Sequence, residues 1–233
     1  MTTARTNAED ALSGNTANAF DVTDLNRVRQ ARDRAAYDKE TVYAILDAGF
    51  VAHVAFVDQG RPVVIPMIYG RDGDRLFLHG ARKGRFASTT AGEPVSIGVT
   101  LVDGIVVARS MFDASMNYRS VVIHGRAAEI DDIAARLHAL KCVSEHSLPG
   151  RWNEVRAPID TELKATVDIE VTIEAAAAKI RRGPANDSAG AGVDENVWAG
   201  VVPVTTVIGE PEVDSSVPAG VPVPASLSRI RKG

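Results

Sequence analysis

The sequence predicts an antiparallel β-barrel with a few helices packed outside it. Short runs of period-two alternation follow one another through turn signals, which is the signature of hairpin-connected strands. The long helical crossovers that a parallel sheet needs are not evident between them. Hydrophobic residues make up 45% of the 233, enough for one sizeable core, and only 5% are aromatic, so that core rests on Val, Ile, Leu and Ala. A two-sheet sandwich is the nearest competing architecture.

Taken in order, Asp38 caps a helix whose Val42, Ile45 and Leu46 fall at i, i+3 and i+4, and Gly49 stops it. Phe50–Val57 and Val63–Tyr69 form two β-rich runs joined by Asp58-Gln59-Gly60, a hairpin signal. The turn Arg71-Asp72-Gly73-Asp74 leads into a third run, Arg75–His79, and a helical interlude covers 83–91. Val95–Val102 and Ile105–Ala108 follow, separated at Asp103-Gly104, a dipeptide that reads as a tight reversal. Tyr118–Ile130 is strand-like, and Ile133, Leu137 and Leu140 mark one face of a helix over 131–146. Glu162–Ile173 alternates as a last strand. The ends differ in composition. Residues 1–22 read as a flexible leader, 23–208 as the barrel domain, and 209–233, with Pro211, Pro218, Pro222 and Pro224, as a Pro-rich disordered tail.

Composition also excludes several classes. With 26 basic and 30 acidic residues the net charge is -4, which argues against a general nucleic-acid binder. The single cysteine, Cys142, rules out an intrachain disulfide framework or a Cys-cluster metal site. No stretch reaches the roughly 18–20 apolar residues of a membrane helix, and the N-terminus lacks a signal-peptide core, so the expected compartment is the cytoplasm. His138 and His146 match no metal-ligand spacing, no metal site is expected, and Asp131-Asp132 reads as helix-start charge.

The chemistry-bearing residues cluster. In LFLHGARKGRF (76–86) a strand delivers His79, then Gly80 and Ala81, then the cations Arg82, Lys83 and Arg85. A phosphate needs neutralising charge and close backbone approach, which such a turn supplies; the plain alternative is an exposed basic turn. His79 shares a strand face with Phe77 and is the candidate catalytic residue, against a structural histidine. Asn117, Tyr118, Arg119 and Ser120 put four hydrogen-bonding side chains at a strand entry, with a solvated edge as the alternative. Lys179 and Arg181 belong to a third basic cluster, and Trp198 either anchors its segment or covers a planar ligand.

Together the stretches VIPMIYGRDGDRLFLHGARKGR (64–85), TLVDGIVVARSMFDASMNYRSVVIHGRA (100–127), PGRWNEVRAP (149–158), KIRRGP (179–184) and VWAGVVP (197–203) resemble the pyridoxamine 5′-phosphate oxidase-like flavin-binding split barrels, and among them the nitroimidazole-resistance (Nim-type) proteins. The resemblance spans Arg27 to Pro203. It implies a six-stranded antiparallel split barrel that forms a homodimer with FMN at the subunit interface, deazaflavin or haem being the cofactors of related barrels. By the same resemblance Pro66 and Met67 lie along the isoalloxazine, His79 is the active-site histidine, and Gly80, Ala81, Lys83 and Arg85 hold the phosphate. Asn117, Tyr118, Arg119 and Ser120 line the site, joined by Lys179, Arg181 and Trp198. The implied activity is an FMN-dependent oxidoreductase acting on nitroaromatic or other small electron acceptors; the alternatives are a flavin-binding stress or sensor protein without turnover and a deazaflavin-dependent reductase. Pyridoxamine phosphate oxidation is not expected, because the RxxLLK-type strand and the arginine-bearing C-terminal segment are missing.

Overall fold

The computed structural model describes residues 18–90, 92–185 and 194–230. The expected leader up to residue 17 and the middle of the loose segment 183–196 lie outside them. Nine strands and four α-helices are present among the described residues: β1 (Ala35–Ala36), α1 (Lys39–Ala48), β2 (Ala52–Asp58), β3 (Arg61–Met67), β4 (Tyr69–Asp72), β5 (Arg75–Ala81), α2 (Arg85–Thr90), β6 (Pro94–Val107), β7 (Ser115–Glu129), α3 (Ile133–Ser147), α4 (Asp160–Ala165), β8 (Thr166–Arg181) and β9 (Gly200–Pro203). The six-stranded split barrel is contained in them. The pairing order runs β3-β2-β6-β7-β8-β5-β4, every pair antiparallel. Only Ile68 separates β3 from β4, so the two are halves of one bent strand that pairs with β2 before the bend and with β5 after it. That bend closes the sheet, while β1 and β9 pair onto β8 and β6.

The hairpin turns follow their chemistry. Gln59 and Gly60 both take positive φ, at 49° and 74°, in the two-residue loop that sets Asp58 opposite Arg61. Asp38 caps α1 by accepting from the Thr41 N–H at 2.7 Å, and Asp132 caps α3 through the Ala135 N–H at 2.8 Å. Val42, Ile45 and Leu46 of α1 enter the core formed by Val54, Ile97, Val99, Val121, Ile123, Val167, Ile169 and Val171 from the inner faces of the barrel strands.

Three expectations are corrected. Asp103-Gly104 is not a reversal: β6 runs through it, with a register shift between Val102 and Gly104. Asp103 is the extra residue of a bulge, held by Arg119 on β7, and Gly104 lies so close to β9 that a Cβ there would sit 3.0 Å from Val201 Cγ1. The face of α3 that is buried is Arg136, Ala139, Val143 and His146, while Ile133 is exposed. Glu162–Ala165 is the end of α4, and the last barrel strand starts at Thr166 and continues through the alanine run to Arg181. The proline-rich stretch carries no strand or helix up to Pro224. Beyond it Ala225–Arg229 makes a 3-10 turn in which the Ser226 N–H and hydroxyl donate to the two Glu154 carboxylate oxygens at 2.9 and 2.6 Å.

Candidate functional site

Antiparallel register decides which predicted residues can meet. At the ends of β3 and β5 it brings the first group together. Met67 points inward against the core, and a Cβ added at Gly80 would lie 3.9 Å from the Met67 Cε, so these strand ends are neighbours. The chain then turns: the Gly84 N–H donates to the Ala81 carbonyl at 2.8 Å, leaving Ala81, Arg82, Lys83 and Arg85 exposed. Two of the three cations already serve acids, Arg82 on Glu129 at 2.8 Å and Arg85 on Asp58 at 2.5 Å. Lys83 has no ion-pair partner among the described residues. Pro66 points the other way, onto the outer face of the sheet.

His79 stands apart from this group. Its cross-strand partner is Asp168, and both share the face of Phe77, which α3 covers. Asp168 is buried; its Oδ2 accepts from Arg136 Nε at 2.7 Å and its Oδ1 has no partner. The histidine is half-buried beside that carboxylate rather than on the inward face shared by Gly80 and Met67.

The second group is tied up internally. Arg181 donates to the Asn117 Oδ1 at 2.5 Å, and Asn117 Nδ2 donates to the Gly183 carbonyl at 3.0 Å; both side chains are buried and fix the chain leaving β8. Arg119 grips Asp103 with two bonds of 2.9 and 2.7 Å, and this pairing holds the Asp103 carboxyl below its ordinary range. Ser120 donates to the Lys179 carbonyl at 3.2 Å. Tyr118, Ser120 and Lys179 lie on the outer face, whereas Arg119 lines a cavity of about 720 Å³ between the end of α1 and β6. Phe50, Thr100, Leu101 and the segment Val204–Thr206 supply the other walls. Trp198 is exposed and lies against Gly200, on the segment that leads into β9.

Sequence reasoning missed the outer face of β3, β2, β6 and β7. Register sets Pro66, His53, Gly98, Val122 and Ala177 in one row across five strands, and Val64, Ala55, Ser96, His124 and Ala175 in the next. Val57, Val64 and Val122 are exposed there by 63, 59 and 46%. His124 has its Nδ1 2.8 Å from the Ser96 Oγ, and burial pushes its pKa down, favouring the neutral ring. The available signal was parity: in Val122-Ile123-His124 the histidine shares the face of an exposed valine, not of the core.

The pattern of the family described as pyridoxamine 5′-phosphate oxidase matches residues 38–180, which hold the barrel from α1 to β8. The chain belongs to that family. Among solved structures, the flavocytochrome Anf3 from Azotobacter vinelandii shares 35% identity with this pyridoxamine 5′-phosphate oxidase family member and superposes with a TM-score of 0.83, over 91% of this chain and 98% of that one. The FAD and haem binding protein from Mycobacterium smegmatis is also 35% identical, with a TM-score of 0.78 over 85% of this chain and 98% of its own. A candidate 5-nitroimidazole antibiotic resistance protein from Bacteroides thetaiotaomicron, 22% identical with a TM-score of 0.55 over 63% of this chain and 86% of that one, shares the fold. No curated protein sequence matches the chain. No described helix is long and apolar enough to cross a membrane, and no group of His, Cys, Asp or Glu among the described residues could hold a metal ion on its own.

Proposed function

We propose that this chain is a cytoplasmic flavin-dependent redox protein that carries FAD together with a haem and works as a homodimer. The observation that supports this most is the match, at 35% identity and over 98% of the relative's length in each case, to a flavocytochrome and to an FAD and haem binding protein. The FMN that the split-barrel resemblance implies gives way to FAD on the same ground. The nitroimidazole-type relative shares the fold at 22% identity, so reduction of nitroaromatics is a reading to test, not one it supports.

The residues present fit a flavin. Gly80 leaves open room beside Met67, Pro66 to Ile68 offer backbone groups at the bend between β3 and β4, and the turn after β5 exposes cations toward solvent. Lys83 would hold a phosphate with its full charge, whereas Arg82 and Arg85 share theirs with Glu129 and Asp58. A flavin supplies two-electron exchange and a haem one-electron exchange; the chain binds, orients and shields them. The uncovered apolar face carrying Val57, Val64 and Val122 is the surface for the second copy, because an exposed patch of that kind is otherwise a liability. His79 has no inward approach to the Met67–Gly80 region, so its part is to support the turn through its strand and not to touch the flavin.

The test is to purify the full chain, record its visible spectrum, and identify the released flavin by chromatography. FAD with a haem Soret band is the expected result; a colourless protein that binds neither FAD nor FMN at micromolar concentration overturns the reading. Lys83→Ala is expected to weaken FAD binding by about tenfold or more, since a hydrogen bond to a charged group is worth about 1.5–3 kcal/mol. Arg85→Ala, which also releases Asp58, is expected to do less. Equal affinity in the wild type and Lys83→Ala would place the phosphates elsewhere. Turnover of a nitroaromatic faster than free FAD manages would separate a reductase from a protein that only carries its cofactors.

A further inference from the structure

Among the described residues the large apolar side chains most open to solvent are Met111 and Phe112, exposed by 91 and 92%. They form the tip of the hairpin between β6 and β7. The loop that carries them is braced: the Ser110 hydroxyl donates to Asp113 Oδ2 at 2.7 Å and accepts from the Asp113 N–H at 3.2 Å. A ring held outward on a braced turn has little freedom left to lose when something covers it. The apolar surface continues below the tip. Register sets Val202, Ile105 and Met116 in one row across β9, β6 and β7, all three exposed. Met116 in turn shares its strand face with Tyr118, Ser120 and Val122. The hairpin is therefore one end of the open face that the second copy covers in the reading above.

The other end of that face holds a hollow. Leu25, Val57, Pro62 and Pro94 wall a cavity of about 320 Å³, with Ala55 and the Ser96–His124 pair on the sheet beside them. A cavity of roughly 150 Å³ already takes a benzene ring, so this one has room for a phenylalanine side chain. Its lining suits one. The walls are mostly apolar, Ser96 and His124 contact each other at 2.8 Å, and Glu174 stands at one side, where a ring offers its electropositive edge. Along the chain, Phe112 and His124 lie equally far on either side of Tyr118. A two-fold axis beside Tyr118 and Ser120 exchanges the two ends of the face and carries the tip of each copy over the cavity of the other. Symmetric dimers are built on self-complementary patches of this kind. A bilayer suits the tip less well: Arg109 is the one basic residue between Val107 and Tyr118, whereas a lipid-binding segment carries several.

We propose that Phe112 of each protomer seats in the Leu25–Pro94 cavity of its partner, so that hairpin tip and cavity are the two halves of one self-complementary contact. This rests on the homodimer reading above and gives that dimer a register. Val122 then falls near the centre of the interface, and Phe112 is the aromatic anchor at each end of it.

The experiment measures the dimer dissociation constant of the full-length protein by sedimentation, in the wild type and in Phe112→Ala, Phe112→Leu and Ala55→Leu, the last of which fills the cavity. Phe112→Ala is expected to weaken the dimer at least tenfold with an unchanged circular dichroism spectrum, because so exposed a side chain does not hold the fold. Phe112→Leu keeps most of the affinity, and Ala55→Leu loses it as Phe112→Ala does. Disulfide trapping locates the contact: Phe112→Cys and Leu25→Cys proteins, each also carrying Cys142→Ala, are mixed, left to exchange subunits and oxidised. A disulfide-linked dimer is expected in the mixture and in neither protein alone. A wild-type dimer that Phe112→Ala leaves intact, or the absence of the mixed disulfide, overturns the docking and leaves the homodimer reading standing. Binding of the wild type to anionic phospholipid vesicles that Phe112→Ala abolishes, with the dimer unchanged, overturns it in favour of a membrane contact. A wild type that sediments as a monomer overturns the homodimer reading, and the docking falls with it.

Discussion

On the side of the barrel formed by β4, β5 and the first half of β8, helix α3 lies over Phe77, and its Arg136 reaches Asp168. On the side formed by β3, β2, β6 and β7, Val57, Val64 and Val122 stay exposed by 63, 59 and 46%. Both outer faces belong to one closed sheet, yet the first satisfies its charges and buries its ring within the chain, while the second leaves apolar and imidazole groups facing out. The covered side is therefore where stability is concentrated, and the open side is where partners and ligands can act without disturbing the core. Substitutions on the two sides should separate accordingly.

The largest effect is expected at the Arg136–Asp168 pair, whose side chains are only 10 and 0% exposed. Arg136→Met leaves a buried carboxylate with neither oxygen paired, a loss of about 3–5 kcal/mol in chemical denaturation. A change below 1 kcal/mol would mean that water reaches Asp168 and the side is less closed than its packing indicates. Next comes Gly70 on β4, where a Cβ would overlap the backbone of Cys142 and Val143 in α3. Gly70→Ala should push the helix outward and cost about 1–3 kcal/mol.

A smaller effect belongs to Asp103 and Arg119, which are about one-third exposed. Because pairing with Arg119 lowers the Asp103 pKa in the folded state, the contribution is complete above the ordinary carboxylate range and is lost as pH falls through the lowered folded value. Asp103→Asn should therefore cost about 0.5–1 kcal/mol near neutral pH and nothing at strongly acid pH. A difference that stays constant with pH would assign the effect to the bulge instead of the charge. Least of all, Val122→Glu on the open face should change monomer stability by no more than about 0.5 kcal/mol. It should, however, shift the sedimentation profile from dimer to monomer. A dimer unaffected by the charge would move the subunit interface off this face.

How far the sequence could be read follows the range of the interaction that decided each feature. Asp38, Asp132 and Gln59-Gly60 act within a few residues, and the caps and the first hairpin are as the pattern predicts. Asp103-Gly104 carries the local mark of a reversal, but Arg119 and the approach of β9 at Val201 convert it into a bulge inside a long strand. The face of α3 was misread for the same reason: Arg136 looks like a solvent residue until Asp168, thirty-two positions later, is found beneath it. The basic turn after His79 was legible as a cluster, whereas the neutralisation of Arg85 by Asp58 was not. The row that places His124 beside Ser96 and Ala55 exists only through register across several strands, which no local pattern records.

Strand β8 has an order-of-events consequence. It pairs with β7 on one side, β5 on the other and β1 near its end, so residues 75–81 wait for partners at 166–172. During synthesis the hairpins β2–β3 and β6–β7 can form early, but the barrel stays an open sheet with two bare edges until Arg181 has left the ribosome. Closure at such sequence separation is slow, and the interval is when β5 and β7 are exposed to pairing with other chains.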